Sequence, residues 1–304
     1  MLRYLIFWFV FNVLGRLPRP ILYWIAEVVA RVGYSLAPGI RANVWDNLRH
    51  LMPDAPRRRV RKAAKAVFRN VAYYYADLAQ MERMDLDDFF HNRLIYYGIE
   101  EHIRSNLNEG RGVVMLSAHV GNAEIAGQAL IPLGIPCFAV TEPVEPAPLR
   151  RMLNKIRSAH GVEFMPVGVS SAKRIVRILR DGGTVALMGD RDISGPRMRL
   201  PFFGEETWLP TGPIEVALRT GAAIVPSFSV RRGRYTIEAW AEEPIEVERT
   251  GDLQTDVKTA TLAFIERMEA FLRREPESWG VFERIWDGDA ASPQPTRKPE
   301  EVGV

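Results

Sequence analysis

Gly112-Val113-Val114-Met115-Leu116-Ser117-Ala118-His119-Val120-Gly121-Asn122-Ala123-Glu124 reads as a short buried strand, a tight turn and the first turn of a helix. The strand is an uninterrupted apolar run, the pattern of a strand covered on both faces. His119 stands just past its C-terminal edge, where open α/β sheets place their active sites. Gly121 and Asn122 suit a tight turn. Glu124 then enters the helix, from which its carboxylate can fold back toward the imidazole. Histidine can take a proton from a neutral hydroxyl near pH 7, and a carboxylate on its far nitrogen would fix the tautomer. A histidine with an acid five residues on is common in proteins. Its position at a strand end singles this one out.

Outward from that stretch, apolar strands alternate with helices. Strands are predicted at Cys137 to Thr141, Glu163 to Val167, Thr184 to Met188, Ala222 to Ser229 and Tyr235 to Ala239. Helices are predicted at Ala123 to Leu133, Leu149 to His160, Ser171 to Leu179, Pro213 to Thr220 and Lys258 to Arg274. The alternation implies an α/β fold with a central, mostly parallel sheet flanked by helices. Upstream, a short helix over 43–52 precedes a long one starting near Pro56. Val60, Ala64, Val67, Val71, Tyr74 and Leu78 step along one buried face of that long helix.

The N-terminal segment differs in character. Residues 1–50 hold six arginines against Glu27 and Asp46, an excess of four, where the whole 304-residue chain carries a net +3. The segment also holds bulky apolar groups from Leu5 onward. Leu5 to Leu14 is about half the roughly 20 residues a spanning helix needs. Ile21 to Leu36 carries Glu27 and Arg31, which are costly at mid-bilayer. With Pro18 and Pro20 as the break, the expectation is a membrane-associated helical hairpin over 1–40 that dips into one leaflet of an anionic membrane surface. An α/β domain over 41–289 and a polar, Pro-rich disordered tail over 290–304 complete the organisation.

Several function classes lose support. Apolar residues make up 47% and charged residues 25%, an ordinary globular balance. A single cysteine, Cys137, builds neither a disulfide framework nor a Cys-based zinc site. There is no His-Glu-x-x-His pattern, no Gly-x-Ser-x-Gly elbow and no P-loop or dinucleotide fingerprint. The basic run 57–62 lacks an aromatic platform for nucleic acid and reads as a solvated or lipid-facing helix surface.

His119-x4-Glu124, within Ser-Ala-His-Val-Gly-Asn-Ala-Glu, resembles the His-x4-Asp/Glu motif of the glycerolipid acyltransferase superfamily. It is most similar to the lipid A late (lauroyl/myristoyl) acyltransferase branch, which includes the phosphatidylinositol mannoside acyltransferases. Asp190-Arg191-Asp192, Pro201-Phe202-Phe203-Gly204, Pro210-Thr211-Gly212-Pro213, Thr220-Gly221-Ala222 and Pro226 follow in that branch's order. Asn47-Leu48 with Pro53, Arg157 with Gly161, and Pro276-Glu277-x-Trp279 with Trp286 also fit. Arg191 stands where glutamine is frequent in the branch, and Ala123 where a bulky aromatic is usual. The resemblance implies acyl transfer from acyl-CoA or acyl-carrier protein to a hydroxyl of a membrane glycolipid, at the cytoplasmic face of the inner membrane, without cofactor or metal. It implies His119 as base with Glu124 as its partner. Arg157 is a candidate for an anionic head group. Asp190, Arg191 and Asp192 are substrate-side candidates, with Asp190 or Asp192 able to orient His119 instead. A lipid esterase or thioesterase, and a non-catalytic lipid-binding protein, are the alternatives.

Overall fold

The computed structural model describes residues 2–128, 130–142, 144–191 and 195–286. The tail expected over 290–304 lies outside the described residues. The chain opens with α1 (Leu2–Asn12), α2 (Arg19–Leu36), α3 (Pro38–Leu51), α4 (Arg57–Gln80) and α5 (Leu86–Asn92). It continues through β1 (Leu94–Tyr97), α6 (Ser105–Asn108), β2 (Val113–Ser117), α7 (Ala123–Gln128), β3 (Cys137–Thr141), α8 (Ala147–Arg157), β4 (Glu163–Pro166), α9 (Val169–Arg180) and β5 (Thr184–Met188). β6 (Arg197–Phe202) and β7 (Glu205–Pro210) form a hairpin, followed by α10 (Gly212–Thr220), β8 (Ala223–Arg232), β9 (Thr236–Ala241) and α11 (Leu253–Arg274).

Seven strands make the main sheet in the order β1-β9-β8-β2-β5-β3-β4. Every pair is parallel except β8 with β9. β2 therefore lies inside the sheet, and its apolar run is used on both sides. Val114 and Leu116 join α9, α10 and α11 in one core, through Ile175, Leu179, Ile214, Ala217, Phe264 and Met268. Val113 faces the other core with Ile103, Leu130, Ile135 and Val225. This double burial is why the strand shows no polar alternation.

Most of the expected elements are present, with shifted ends. α3 starts at Pro38, five residues before the expected helix, since Pro is accommodated in a first helical turn. α7 stops at Gln128, short of Leu133: Pro132 can donate no helical hydrogen bond, and Gly134 turns with φ +70°. The stretch Pro201-Phe202-Phe203-Gly204 is the end of β6 and its turn. Phe203 (φ 52°) and Gly204 (φ 81°) both take left-handed conformations, as a tight two-residue hairpin turn demands.

α1 and α2 do not stand off as a separate hairpin; both pack against α4. Leu22, Tyr23, Ala26 and Ala30 form the buried stripe of α2, and Phe11 from α1 joins the first three in one core. The opposite faces remain apolar and open: Leu5, Ile6, Trp8 and Phe9 on α1, and Ile21, Trp24, Val28, Val29, Val32 and Leu36 on α2. Trp24 is 62% and Leu36 76% exposed, so this is uncovered surface and not partial burial. Among the described residues, no helix is long and apolar enough to cross a membrane.

The turn after β2 is built around Gly121, whose φ is +59° and whose added Cβ would lie 2.3 Å from the Ser229 carbonyl oxygen of β8. Gly121→Ala should therefore cost on the order of 2 kcal/mol or more. That corresponds to a melting temperature lower by roughly 4–8 °C. Gly233→Ala is the control, with φ +65° but open space around the position. A calorimetric scan should show the smaller loss at Gly233. Equal losses would mean that only the dihedral matters.

Candidate active site

Parallel pairing brings two chemical groups together. β2 and β5 run in register, with Ser117 opposite Met188. The Gly189 amide continues the ladder to the Ser117 carbonyl at 2.8 Å. His119 and Asp190 each lie two residues past that last pair, so the register that aligns the strands also aligns them. Asp190 Oδ1 lies 2.8 Å from His119 Nδ1, and Oδ2 accepts the His119 backbone amide at 2.9 Å. The Trp279 indole donates to the same Oδ2 at 2.8 Å.

Asp190 is fully buried. Burial pushes its carboxyl up. The charge of His119 and the hydrogen bonds from His119 and Trp279 outweigh burial and hold it below the ordinary carboxylate range. An ionised carboxylate only accepts, so Nδ1 must carry the proton facing it. Nε2 is then the nitrogen free to accept. It makes no hydrogen bond among the described residues, and the His119 side chain is one-third exposed (33%). Residues 278–280 strap the turn in place. Gly121 donates to Ser278 O at 3.0 Å, Gly280 donates to His119 O at 2.8 Å, and Val120 bridges to Trp279.

The partner expected for His119, Glu124, is engaged elsewhere. Its Oε1 accepts from Tyr74 on α4 at 2.7 Å and pairs with Arg157 at the end of α8 at 2.8 Å. The correction has a local cause. Asn122 caps α7 by accepting the Ile125 amide at 3.1 Å, which aims the first helical turn toward α4 and α8. Burial raises the Tyr74 hydroxyl well above its ordinary value, and the Glu124 charge adds to that. Burial works against the charge of Arg157, but Glu124 and Tyr74 more than offset it. Two atoms of this buried group, Glu124 Oε2 and Arg157 Nε, have no partner among the described residues. Arg157, expected to reach a head group, thus turns its charge toward Glu124, with 13% of its side chain exposed.

A second buried carboxylate holds the same turn from below. Asp77 of α4 accepts from Asn122 Nδ2 at 2.8 Å, from Tyr23 of α2 and from Arg231 of β8. The Ser229 hydroxyl spans the turn, accepting the Asn122 amide and donating to Val120 O, both at 3.2 Å. The node therefore links α2, α4, β8 and the His119 turn through one carboxylate. The sequence reading did not find Asp77 or Tyr74. The available signal was an acid beside Leu78 on the long apolar face of α4.

Asp190 is no substrate-side group, because its carboxylate is sealed beneath the imidazole. Arg191 is ion-paired with Glu142, past β3, and with Glu283 at 2.5 Å. Asp192 lies outside the described residues. Phe202 is fully buried among Trp279 and Trp286, where it backs the Trp279–Asp190 contact. Among the described residues no group of His, Cys, Asp and Glu is arranged to hold a metal ion.

Asp190 also predicts a pH signature. Its folded pKa is depressed, so its contribution to stability is present above the unfolded value near 4 and is lost as pH falls through the lower folded value. In urea titrations, the stability gap between the wild type and Asp190→Asn should be constant above about pH 5 and shrink below about pH 4. A gap independent of pH would contradict an ionised, hydrogen-bonded Asp190.

A family model for bacterial lipid A biosynthesis acyltransferases matches residues 1–287. Curated relatives include a phosphatidylinositol mannoside acyltransferase of Mycolicibacterium smegmatis, 29% identical over 202 residues, or 65% of this chain and 64% of the relative. Another, from Mycobacterium tuberculosis, is 29% identical over 195 residues, covering 62% of this chain and 59% of the relative. The match thus spans about three fifths of the length of those relatives. With a histidine and a buried aspartate aligned at the C-terminal ends of neighbouring central strands, and the family model matching nearly the full length, the chain belongs to the bacterial lipid A biosynthesis acyltransferase family.

Proposed function

We propose that this protein transfers a long-chain acyl group from acyl-CoA or acyl-carrier protein to a hydroxyl of a membrane glycolipid, with His119 as general base. The observation that supports this most is the His119–Asp190 contact, which leaves Nε2 as the accepting nitrogen on the exposed side. The acceptor hydroxyl gives its proton to Nε2 as its oxygen attacks the thioester carbonyl carbon. The C–S bond then breaks, and the imidazolium returns the proton to the departing thiolate. The products are an ester and a free thiol. Asp190 takes the place expected for Glu124: it stabilises the imidazolium and fixes the ring. Glu124, with Tyr74 and Arg157, braces the far side of the turn.

The exposed faces of α1 and α2 fit a monotopic seat in one leaflet, at the cytoplasmic face of the inner membrane. Relatives named for phosphatidylinositol mannoside acylation favour a glycolipid acceptor of that kind or a lipid A precursor.

With a long-chain acyl-CoA and a detergent-dispersed phosphatidylinositol mannoside or lipid A precursor, His119→Ala should lower turnover by roughly 10²–10⁴-fold or more. Asp190→Asn should act mainly on kcat. Wild-type turnover in His119→Ala would refute the base assignment. Thiol release that needs no acceptor would instead identify a thioesterase. For the membrane seat, deleting the N-terminus is a poor probe because Tyr23 and Leu22 belong to the core. The substitution Trp24→Asp should keep the fold and reduce flotation with vesicles, and undiminished flotation would argue against that seat.

A further inference from the structure

A groove of about 800 Å³ runs between α2 and α4 and ends near the β8–β9 turn. None of His119, Glu124, Arg157 or Asp190 lines it; Arg231 and Ser278, which brace the His119 turn from behind, close its inner end. One wall is Lys62, Lys65 and Arg69 of α4, and the facing wall includes Ala30, Arg31 and Tyr34 of α2. The three α4 cations are spaced by three and four residues, which stacks them on one helix face within about 10 Å.

The charge balance of the groove is set by which groups are already paired. Its acids are all engaged: Glu27 with Tyr73, Arg31 and Arg234, Glu275 with Arg232, and Glu277 with Arg59. Lys62, Lys65 and Arg69 make no ion pair among the described residues. Lys65 lies over the Tyr34 ring at 5.6 Å. Three like charges on one face repel, and an anion between the walls would relieve the repulsion.

What kind of anion follows from the flank. The helix that forms the second wall presents Val28, Val29, Val32 and Leu36 on its exposed surface, immediately beside the groove residues Ala30, Arg31, Tyr34 and Ser35. A free phosphate has no use for that apolar stripe, whereas a phospholipid would use both parts, head in the groove and chains along α2. We propose that the α2–α4 groove binds the phosphate of an anionic phospholipid head group, at a place distinct from the acyl-transfer site. The inference rests on the reading that α1 and α2 face a membrane. The bound lipid would fix the rotation of the protein on the surface, where the apolar stripe alone fixes only its depth.

The test is vesicle flotation with the full chain, comparing phosphatidylcholine vesicles with the same vesicles containing phosphatidylglycerol. Lys62→Gln/Lys65→Gln/Arg69→Gln should keep the wild-type melting temperature and lose roughly 10²-fold in affinity for phosphatidylglycerol vesicles, on a scale of about a fivefold loss per basic group. Lys173→Gln/Arg177→Gln/Arg180→Gln on α9 removes the same charge away from the groove and should lose less than about a third as much on a logarithmic scale. Equal losses in the two variants would overturn the proposal in favour of diffuse charge attraction. Inorganic phosphate competing at millimolar concentration, or wild-type binding by the α4 variant, would also overturn it. Flotation needs no turnover, so a failed acyl-transfer assay leaves this measurement intact. Loss of flotation in Trp24→Asp with phosphatidylglycerol preference retained would confine the failure to the apolar seat.

Discussion

The Asp190 carboxylate carries more of the site than any other group. It is a buried charge, and a buried charge persists only when its desolvation is met by donors. Three donors from two distant parts of the chain meet it: the His119 amide and ring, and the Trp279 indole. Each of those donors is itself held. The amide and ring sit at the end of β2 by strand register, and the indole is packed against Phe202. Losing the carboxylate would therefore loosen the imidazole and the C-terminal strap together, which is why one residue can set the geometry of the His119 ring.

Asp77 applies the same logic one layer down, and its consequence concerns the N-terminus. Its partners include Tyr23, on the very helix whose outer face is apolar and exposed. Both side chains of the Asp77–Arg231 pair are almost fully buried, at 3% exposure each. Removing one partner from such a pair leaves an uncompensated charge, at a cost of about 3–5 kcal/mol. α2 is consequently structural on its inner face and available on its outer face. A helix seated on a surface by one side and bonded to the His119 turn by the other has a fixed place relative to that turn.

What was legible in the sequence follows from how local the signal is. Cys137–Thr141 and Thr184–Met188 are found at their expected limits because a covered parallel strand is a short apolar run with clear ends. β6 and β7 were missed because Arg197, Arg199, Glu205 and Glu206 interrupt the apolar pattern of an edge hairpin that buries one face only. His119 was legible from its strand-end position. Asp190 was read only as an alternative partner, because sequence distance favoured Glu124. Glu124 is five residues away and Asp190 is seventy-one, yet register places the distant one in contact while the Asn122 cap turns the near one aside.

That outcome bears on how an His-x4-acid pattern should be understood physically. In this chain the acid is placed by a helix start, and a helix start has a direction of its own, set by its cap. Glu124 is carried toward α4 and α8, where Tyr74 and Arg157 meet it. The fixed spacing therefore preserves the relation between the strand end and the helix start, more than a bond between the two side chains. The histidine and the glutamate end up serving opposite sides of one turn: the first braced from β5, the second from α4 and α8. In the proposed reaction, a substrate hydroxyl brought to Nε2 would meet a ring whose orientation is settled before it arrives, the preorganisation that proton transfer by a single imidazole requires.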